Sequence, residues 1–457
     1  VLEIGVPTRP AGFCNVNLMF EVPTEFANRV EVSRGPCSAS YGSNGLHGTL
    51  NVLLPDAGEE QRYSLELGAN DFWRVQAQAG GASHHFGVVY VDDGGFREES
   101  GYRQGKLHVA TEVEAFGGAL SAWFVATDLD QETAGFILGE DAYRDPGLNR
   151  QNLNPEAYRN ASSQRLAARW RGQLGRFEAD IRPYLRHSDM AFLQHFLPGK
   201  PLEENGHTSA GMLTMFSTGA GAWSARFGFD LEWADVFLRQ TQFGPTEGSA
   251  FLQETRPEGK HYDYDVTGLA MASFVQAEYA VSDRVTIAAG LRAEHNRYDY
   301  ANNMLDGNTR DDGTPCGFGG CLYTRPADRD DSFTDLAPKL GGRWQLANDV
   351  LLYANLVRGF RAPQMTELYR LQSGQAVSDL ESETADSFEL GLRRSSEDWS
   401  IDVAAFAMRK KDSVYRDANG FNVSGGRSRH EGVEFAWRRE LYSDWSLAIN
   451  GTYARHV

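Results

Sequence analysis

The side chains best placed for specific chemistry in this chain include two neighbouring cysteines. Cys316 and Cys321 enclose the sequence GFGG within a long polar stretch, residues 297–332. Two cysteines this close together either form a disulfide in an oxidising compartment or hold a metal ion. No histidine lies in the stretch, and its aspartates are typical of solvated loops. The sequence therefore favours a disulfide over a metal site.

Two glutamates are placed for a different chemistry, the binding of a cation inside an enclosed space. Glu389 lies in the run SFELGL and Glu434 in the run GVEFAW, each between apolar neighbours. Successive side chains of a strand point to opposite faces, so each glutamate falls on the polar face of a strand. If the polar faces enclose a lumen, both carboxylates point into it from neighbouring hairpins. There they could accept charge-assisted hydrogen bonds from an arginine.

No pattern of catalytic residues appears. The eleven histidines are scattered, and the pair His84–His85 lies near a turn without the His-Glu-x-x-His spacing of a zinc hydrolase. No Gly-x-Ser-x-Gly nucleophile elbow with triad partners occurs. We therefore expect no enzymatic activity, no catalytic residue, no resident metal and no cofactor.

The elements that would position these residues follow one repeated plan from about Gln61 onward. An alternating run is followed by a turn, a second run and often a long polar loop; Tyr63–Ala69, Leu107–Ala115 and Val285–Ala293 show the alternation. A period of two predicts strands with one apolar and one polar face. A soluble sandwich buries the apolar face, whereas a membrane barrel turns it to lipid around a wet lumen.

The lengths of the connections separate these two architectures. VSDRV, LANDV and SSEDW read as tight turns, whereas residues 128–162, 297–332, 358–386 and 411–429 are long polar stretches. Short turns at one end and long loops at the other are typical of outer-membrane barrels and unusual in a soluble sandwich. We predict an all-β fold, a large antiparallel transmembrane β-barrel. Roughly eighteen candidate strands are present here, and about 22 are expected in the complete protein.

Composition limits the class of protein further. The net charge of −18 argues against a nucleic-acid partner, because phosphate binding needs clustered lysine and arginine. No stretch approaches the roughly 20 apolar residues of a membrane-spanning helix. The aromatic content of 12% suits membrane interfaces, although large soluble β proteins share it. The chain begins at Val1 without a leader and stops after an alternating run, so we expect segments to be missing at both ends.

One segment near the N-terminus carries a specific resemblance. Residues 29–54, RVEVSRGPCSASYGSNGLHGTLNVLL, closely resemble the end of the plug domain in TonB-dependent receptors. The matching residues are Val30, Glu31, Val32, Arg34, Gly35, Pro36, Ser38, Tyr41, Gly42, Gly48 and Asn51. The family usually has a small residue in place of Cys37, and glycine is common in place of His47. A phosphate cradle would need a Gly-Lys-Ser/Thr ending, which is absent here.

Three further segments resemble barrel motifs of the same family and occur in the family's order. They are Leu352–Tyr369 (LYANLVRGFRAPQMTELY), Leu380–Leu392 (LESETADSFELGL) and Arg427–Glu434 (RSRHEGVE). The resemblance implies two domains: residues 1–58 as the C-terminal part of the plug, and 59–457 as the barrel without its last strands.

The resemblance also assigns a role to the two glutamates. In the family, plug arginines contact two inward barrel glutamates, which implies a plug–barrel lock of Arg34 with Glu389 and Glu434. The alternative is that both glutamates are ordinary solvated lumenal charges. Cys14 and Cys37 could pair within the plug or remain structural or free thiols.

The function implied by the resemblance is energised import across the bacterial outer membrane. The inner-membrane TonB–ExbB–ExbD complex would pull on a missing N-terminal segment, and outer-membrane lipid would surround the barrel. A ferric siderophore is the commonest substrate, followed by cobalamin, haem, other metal chelates and glycans. A plugged barrel that acts as a surface receptor or scaffold without energised import is the alternative; the plug motif disfavours a general diffusion porin.

Overall fold

The computed structural model of the chain describes residues 1–13, 18–36, 42, 45–58, 61–372, 374–442 and 445–457. Within these residues a small N-terminal sheet contains four strands. Its strands are β1 (Leu2–Glu3), β2 (Val6–Pro7), β3 (Arg29–Arg34) and β4 (Gly48–Leu53), in the order β2-β1-β4-β3. Strands β1 and β4 run parallel, and the other two pairs are antiparallel. We call residues 1–58 the plug; residues 59–60, at its predicted boundary, lie outside the described part.

A second sheet begins at Arg62 and contains all later strands, each antiparallel to the next. Its strands are β5 (Arg62–Leu67), β6 (Trp73–Gly81), β7 (His84–Asp93), β8 (Tyr102–Ala115), β9 (Gly118–Glu132), β10 (Tyr158–Leu174), β11 (Phe177–Leu193), β12 (Leu202–Ala220), β13 (Trp223–Gln242), β14 (Gly259–Ser282), β15 (Val285–Asn302), β16 (Arg329–Ala347), β17 (Val350–Arg361), β18 (Glu383–Ser395), β19 (Trp399–Arg416), β20 (Asn422–Tyr442) and β21 (Trp445–His456).

This sheet curves into a barrel in which β5 and β21 are neighbours in strand order. Hydrogen-bonded registers join every consecutive pair from β5 to β21, but among the described residues none is defined between β5 and β21 themselves. Both strands are exposed along nearly their whole length. These two strands are therefore the facing edges of the sheet.

Alternation along the strands separates the two faces of the barrel, as predicted. On β7, Phe86, Val88 and Tyr90 are exposed on the outer face, whereas Val89 and Val91 are buried on the inner face. An exposed apolar outer face suits contact with lipid. The inner face is drier than expected where the plug fills the lumen. There, buried apolar barrel residues pack against plug residues in one cluster, which includes Val22, Phe26, Val89, Trp123 and Val125.

Connections differ in length between the two ends, and the three predicted tight turns fall between strands. The predicted long loops are shorter than expected: 411–429 contracts to 417–421, because β19 and β20 extend into it. Backbone pairing needs no apolar face, so polar sequence beyond the lipid can remain in strands. Short helices occur as well: α1 (Leu18–Glu21), α2 (Ala250–Thr255) and α3 (Met365–Tyr369). Among the described residues no helix is long and apolar enough to cross a membrane.

The connection that contains α3 folds inward onto the plug. The Met365 amide donates to the Gly12 carbonyl oxygen at 2.8 Å. A buried cluster surrounds this contact, and its aromatic members are Phe13, Tyr262, Tyr264, Tyr298, Tyr300, Tyr323 and Tyr369. Cys316 and Cys321 are joined by a disulfide at the edge of the same cluster. The β15–β16 and β17–β18 connections thus cover one side of the barrel mouth.

Removing the disulfide tests how firmly the loop 303–328 is held. We expect Cys316→Ser/Cys321→Ser to destabilise this loop by about 2 kcal/mol, because a bond that closes a short loop removes modest chain entropy. Limited proteolysis and hydrogen exchange of the loop would detect the change, and the barrel strands serve as the internal control. Equal protection of the loop with and without the bond would contradict this expectation.

Candidate functional site

The barrel wall holds the plug through a buried cluster of charges centred on Arg165. Arg165 Nη2, on β10, donates to Glu3 Oε2 and to the Glu21 carbonyl oxygen, both at 2.9 Å. Its Nη1 lies 3.6 Å from Glu21 Oε2, and Glu21 also accepts from Arg9. All four side chains are at most 7% exposed. Two guanidinium groups thus balance two carboxylates in a dry interface.

The pKa of Glu21 in this cluster is subject to opposing effects. Burial raises the pKa of its carboxyl above the usual value, while Arg9 and Arg165 act in the opposite direction. Removing either arginine would leave the charged carboxylate buried with less compensation. The cluster is therefore sensitive to the loss of any one member.

In further polar contacts on the same side, the donor lies on the barrel and the acceptor lies on the plug. Lys106 Nζ, on β8, lies 2.9 Å from Glu25 Oε1. Thr127 Oγ1 donates to the Glu21 carbonyl oxygen at 2.8 Å. The barrel wall thus satisfies plug backbone carbonyls and the Glu25 carboxylate in this region, as buried polar groups require.

A second group of charges lines a cavity between the plug and β11–β15. Glu232, on β13, accepts from the Ala11 amide at 2.8 Å and from Arg186 Nη2 at 2.6 Å. Arg292 lies 2.6 Å from Asp230. The cavity has a volume of about 410 Å³ and is lined by charges of both signs. It offers polar groups of both signs along the plug–barrel boundary.

The predicted lock residues lie on the opposite side of the lumen. Arg34 donates to the Glu434 carboxylate across the plug–barrel boundary. Both glutamates point inward, but Glu389 interacts with the Tyr353 hydroxyl instead of accepting a hydrogen bond from Arg34. The Arg34 side chain is 71% exposed. An exposed pair of this kind contributes about 0.2–1 kcal/mol, so the lock role stays a prediction.

The remaining residues of the plug motif shape the backbone around Arg34. Glu31 accepts from Asn51 Nδ2 at 3.1 Å, which joins β3 to β4. Gly35 has a positive φ of +73° and donates to the His47 carbonyl oxygen at 3.0 Å. A Cβ on Gly48 would lie 2.3 Å from the Ser33 carbonyl oxygen.

One proline and one further glycine of the motif lie against the barrel. Pro36 is close to Gly359 on β17, and Gly42 approaches Arg292 and Glu294 so closely that a Cβ would lie 2.7 Å from each. Tyr41, Cys14 and Cys37 lie outside the described residues, so their predicted roles stay predictions.

Sequence reasoning did not identify the Arg165 cluster. Arg165 occupies a lumen-facing position of an alternating run, which was a usable signal for an inward cation. Its partners Glu3 and Glu21 are more than 140 residues away in sequence. No local pattern connects them.

Comparisons with known proteins agree with this architecture. The family model described as TonB dependent receptor-like, beta-barrel matches residues 62–456. No curated protein matches the chain.

Several solved structures share the fold. The copper transporter OprC has a TM-score of 0.72 and 14% identity, over 95% of this chain and 67% of that chain. The ferric yersiniabactin uptake receptor FyuA from Yersinia pestis has a TM-score of 0.68 and 15% identity, over 93% of this chain and 66% of that chain. The unliganded ferric citrate transporter FecA has a TM-score of 0.76 and 16% identity, over 100% of this chain and 68% of that chain. The chain thus spans about two thirds of the length of these structures, and identities this low show the fold alone.

Replacing Arg165 tests whether the buried cluster holds the plug in place. We expect Arg165→Gln to destabilise the seated plug by about 3–5 kcal/mol, because it leaves Glu3 and Glu21 buried without their partner. Arg34→Gln, the matched variant in an exposed pair, should cost under about 1 kcal/mol. The measurement is the urea concentration at which plug residues become accessible to protease.

A double variant separates the cluster from general damage to the barrel. Arg165→Gln/Glu3→Gln should recover part of the lost urea resistance, since it removes one of the unpaired charges. Equal urea resistance of Arg165→Gln and Arg34→Gln would contradict the assignment.

Proposed function

The chain belongs to the TonB-dependent receptor family, and on that premise we propose that it imports a scarce nutrient with energy supplied through TonB. The family model covers most of the barrel, and the barrel accordingly lies in the bacterial outer membrane. The proposed domains are the C-terminal part of a plug over residues 1–58 and a barrel without its last strands over 59–457. Outer-membrane lipid would contact the exposed apolar face.

The observation that carries this proposal is a lumen filled by a separable plug. The plug is held by ion pairs and hydrogen bonds such as those of Arg165 and Glu232, which can be broken and remade. Breaking buried pairs costs several kcal/mol each, so thermal motion alone would rarely open a path. An external energy source fits this arrangement better than passive diffusion does.

The position of β1 suggests how a pull would reach the plug. We place the TonB–ExbB–ExbD complex on the periplasmic side, acting through a segment that precedes Val1. Tension transmitted from that segment would reach β1, where Glu3 accepts from Arg165 at 2.9 Å. Loss of this contact would release β1 from the barrel wall.

For the substrate we propose a metal chelate, with a ferric siderophore as the first class to test. The printed names of three solved relatives refer to copper, ferric yersiniabactin and ferric citrate. Cobalamin, haem, other metal chelates and glycans are the alternatives within the family. A plugged barrel that serves as a surface receptor without energised import is the alternative from another class.

Uptake measurements in cells distinguish the importer from the surface receptor. We expect iron-starved cells that express the receptor to accumulate a supplied ferric siderophore, and deletion of TonB to abolish that accumulation. A panel of radiolabelled ferric siderophores and cobalamin, tested with and without TonB, provides the measurement. Binding of ligand with no TonB-dependent uptake would favour the surface receptor.

Neutralising the two inward glutamates tests the proposed lock. We expect Glu389→Gln/Glu434→Gln to lower uptake severalfold with an unchanged amount of receptor in the membrane, because Arg34 loses the charge of its acceptor Glu434 and the nearby charge of Glu389. Glu431→Gln is the matched control, since Glu431 lies on the other face of β20 and pairs with Arg429 at 2.7 Å. Unchanged uptake and plug retention in the double variant would remove the lock from the proposal.

A further inference from the structure

Three potential metal-binding side chains, one methionine and two histidines, lie in one row on the lumenal faces of β19, β20 and β21. The strand registers place Met408 directly opposite His430, and His430 directly opposite His456. Directly opposed residues have Cβ atoms about 4.5–5.5 Å apart and project from the same face. Glu434, four residues beyond His430 on β20, projects from this same face toward Arg34.

The two histidines of this row face each other through the same ring atom. His430 Nδ1 and His456 Nδ1 are 2.7 Å apart, and the ring planes meet at 58°. In a hydrogen bond between two neutral imidazoles one Nδ1 donates and the other accepts. Two imidazole nitrogens bound to one metal ion at about 2.0–2.1 Å with a tetrahedral angle lie about 3.3 Å apart. The rings would therefore need to separate only slightly to hold an ion.

The types of ligand select the class of ion. Thioether sulfur favours cuprous copper, and imidazole is a ligand for copper as well as zinc. Zinc sites in proteins use three or four ligands drawn from Cys, His, Asp and Glu. Within the described part of the chain no group of three such residues converges. Two histidines and one methionine thus suit a soft monovalent ion better than zinc.

The surrounding charges also favour a monovalent ion over a divalent one. Lys410 lies two residues beyond Met408 on the same face of β19, and its Nζ is 3.1 Å from Glu383 Oε2. A nearby lysine, partly neutralised in this way, repels a monovalent ion less than a divalent one. On the plug, burial lowers the pKa of His47, and Lys410 and His430 add to the shift. The His47 imidazole of the plug therefore lies within electrostatic range of the row.

We propose that Met408, His430 and His456 form a binding site for a cuprous ion on the lumenal wall, beside the exposed contact between Arg34 and Glu434. In the complete receptor this ion would be cargo, held by the barrel close to the largely exposed Arg34 side chain. That role as cargo rests on the proposed import function, whereas binding itself does not.

Equilibrium binding of cuprous ion to the purified full-length receptor provides the test. The probe is Cu⁺ alone, kept reduced with ascorbate and competed against a chromogenic Cu⁺ chelator. We expect one ion per receptor, at least tenfold weaker binding in His430→Gln/His456→Gln, and a larger loss for Cu⁺ than for Zn²⁺ in Met408→Leu. His187→Gln is the matched control, because His187 is an exposed histidine on the other face of β11, paired with Asp189.

A spectroscopic readout keeps the proposal independent of folding defects. X-ray absorption of the Cu⁺-loaded receptor should show nitrogen and sulfur neighbours, and the sulfur signal should disappear in Met408→Leu. Wild-type receptor that binds no Cu⁺, or variants that bind it as the wild type does, would overturn the site. Because the binding assay contains no TonB, such a failure leaves the import proposal standing. Conversely, uptake that proves independent of TonB leaves the site standing.

Discussion

The contact of Arg165 with Glu3 and Glu21 is the interaction on which the seating of the plug depends. Each of these ions would cost several kcal/mol to bury alone, and pairing repays that cost without a large surplus. The cluster therefore contributes more to the position of the plug than to net stability. An apolar interface of the same area would hold the plug without specifying its position, and it could not be broken and remade one contact at a time.

Charged contacts between plug and barrel differ in burial around the lumen. Next to β8–β10 they are largely dry, as at Lys106 and Arg165, whereas at β20 Arg34 meets Glu434 with most of its side chain in solvent. Screened contacts are cheap to break and buried ones are expensive. The contact of Arg34 with Glu434 would therefore be cheaper to break than the contact of Arg165 with Glu3.

Period-two alternation was enough to predict two distinct faces for the alternating runs, including the inward direction of Glu389 and Glu434. It also located the tight turns, since each lies between two alternating runs. It could not supply the partners of Arg165, because contacts across more than 140 residues leave no local pattern. Nor did it predict α3 or the dry lumen near Val89, both of which result from packing against the plug. Polar sequence predicts a loop over 411–429 that is longer than the observed one. Backbone pairing does not depend on side-chain polarity, so β19 and β20 extend into this stretch.

Local sequence pattern also could not bring together Met408, His430 and His456. These residues are separated by the lengths of two hairpins, and only the register of β19, β20 and β21 brings them side by side. A shift of one residue in either hairpin would turn one ligand to the lipid face. His430 and Glu434 lie on one face of β20, about 13 Å apart along the strand. A cation bound at the row and the salt bridge of Arg34 thus share a rigid element. Since that salt bridge contributes less than about 1 kcal/mol, a small change in the local field is enough to shift its equilibrium.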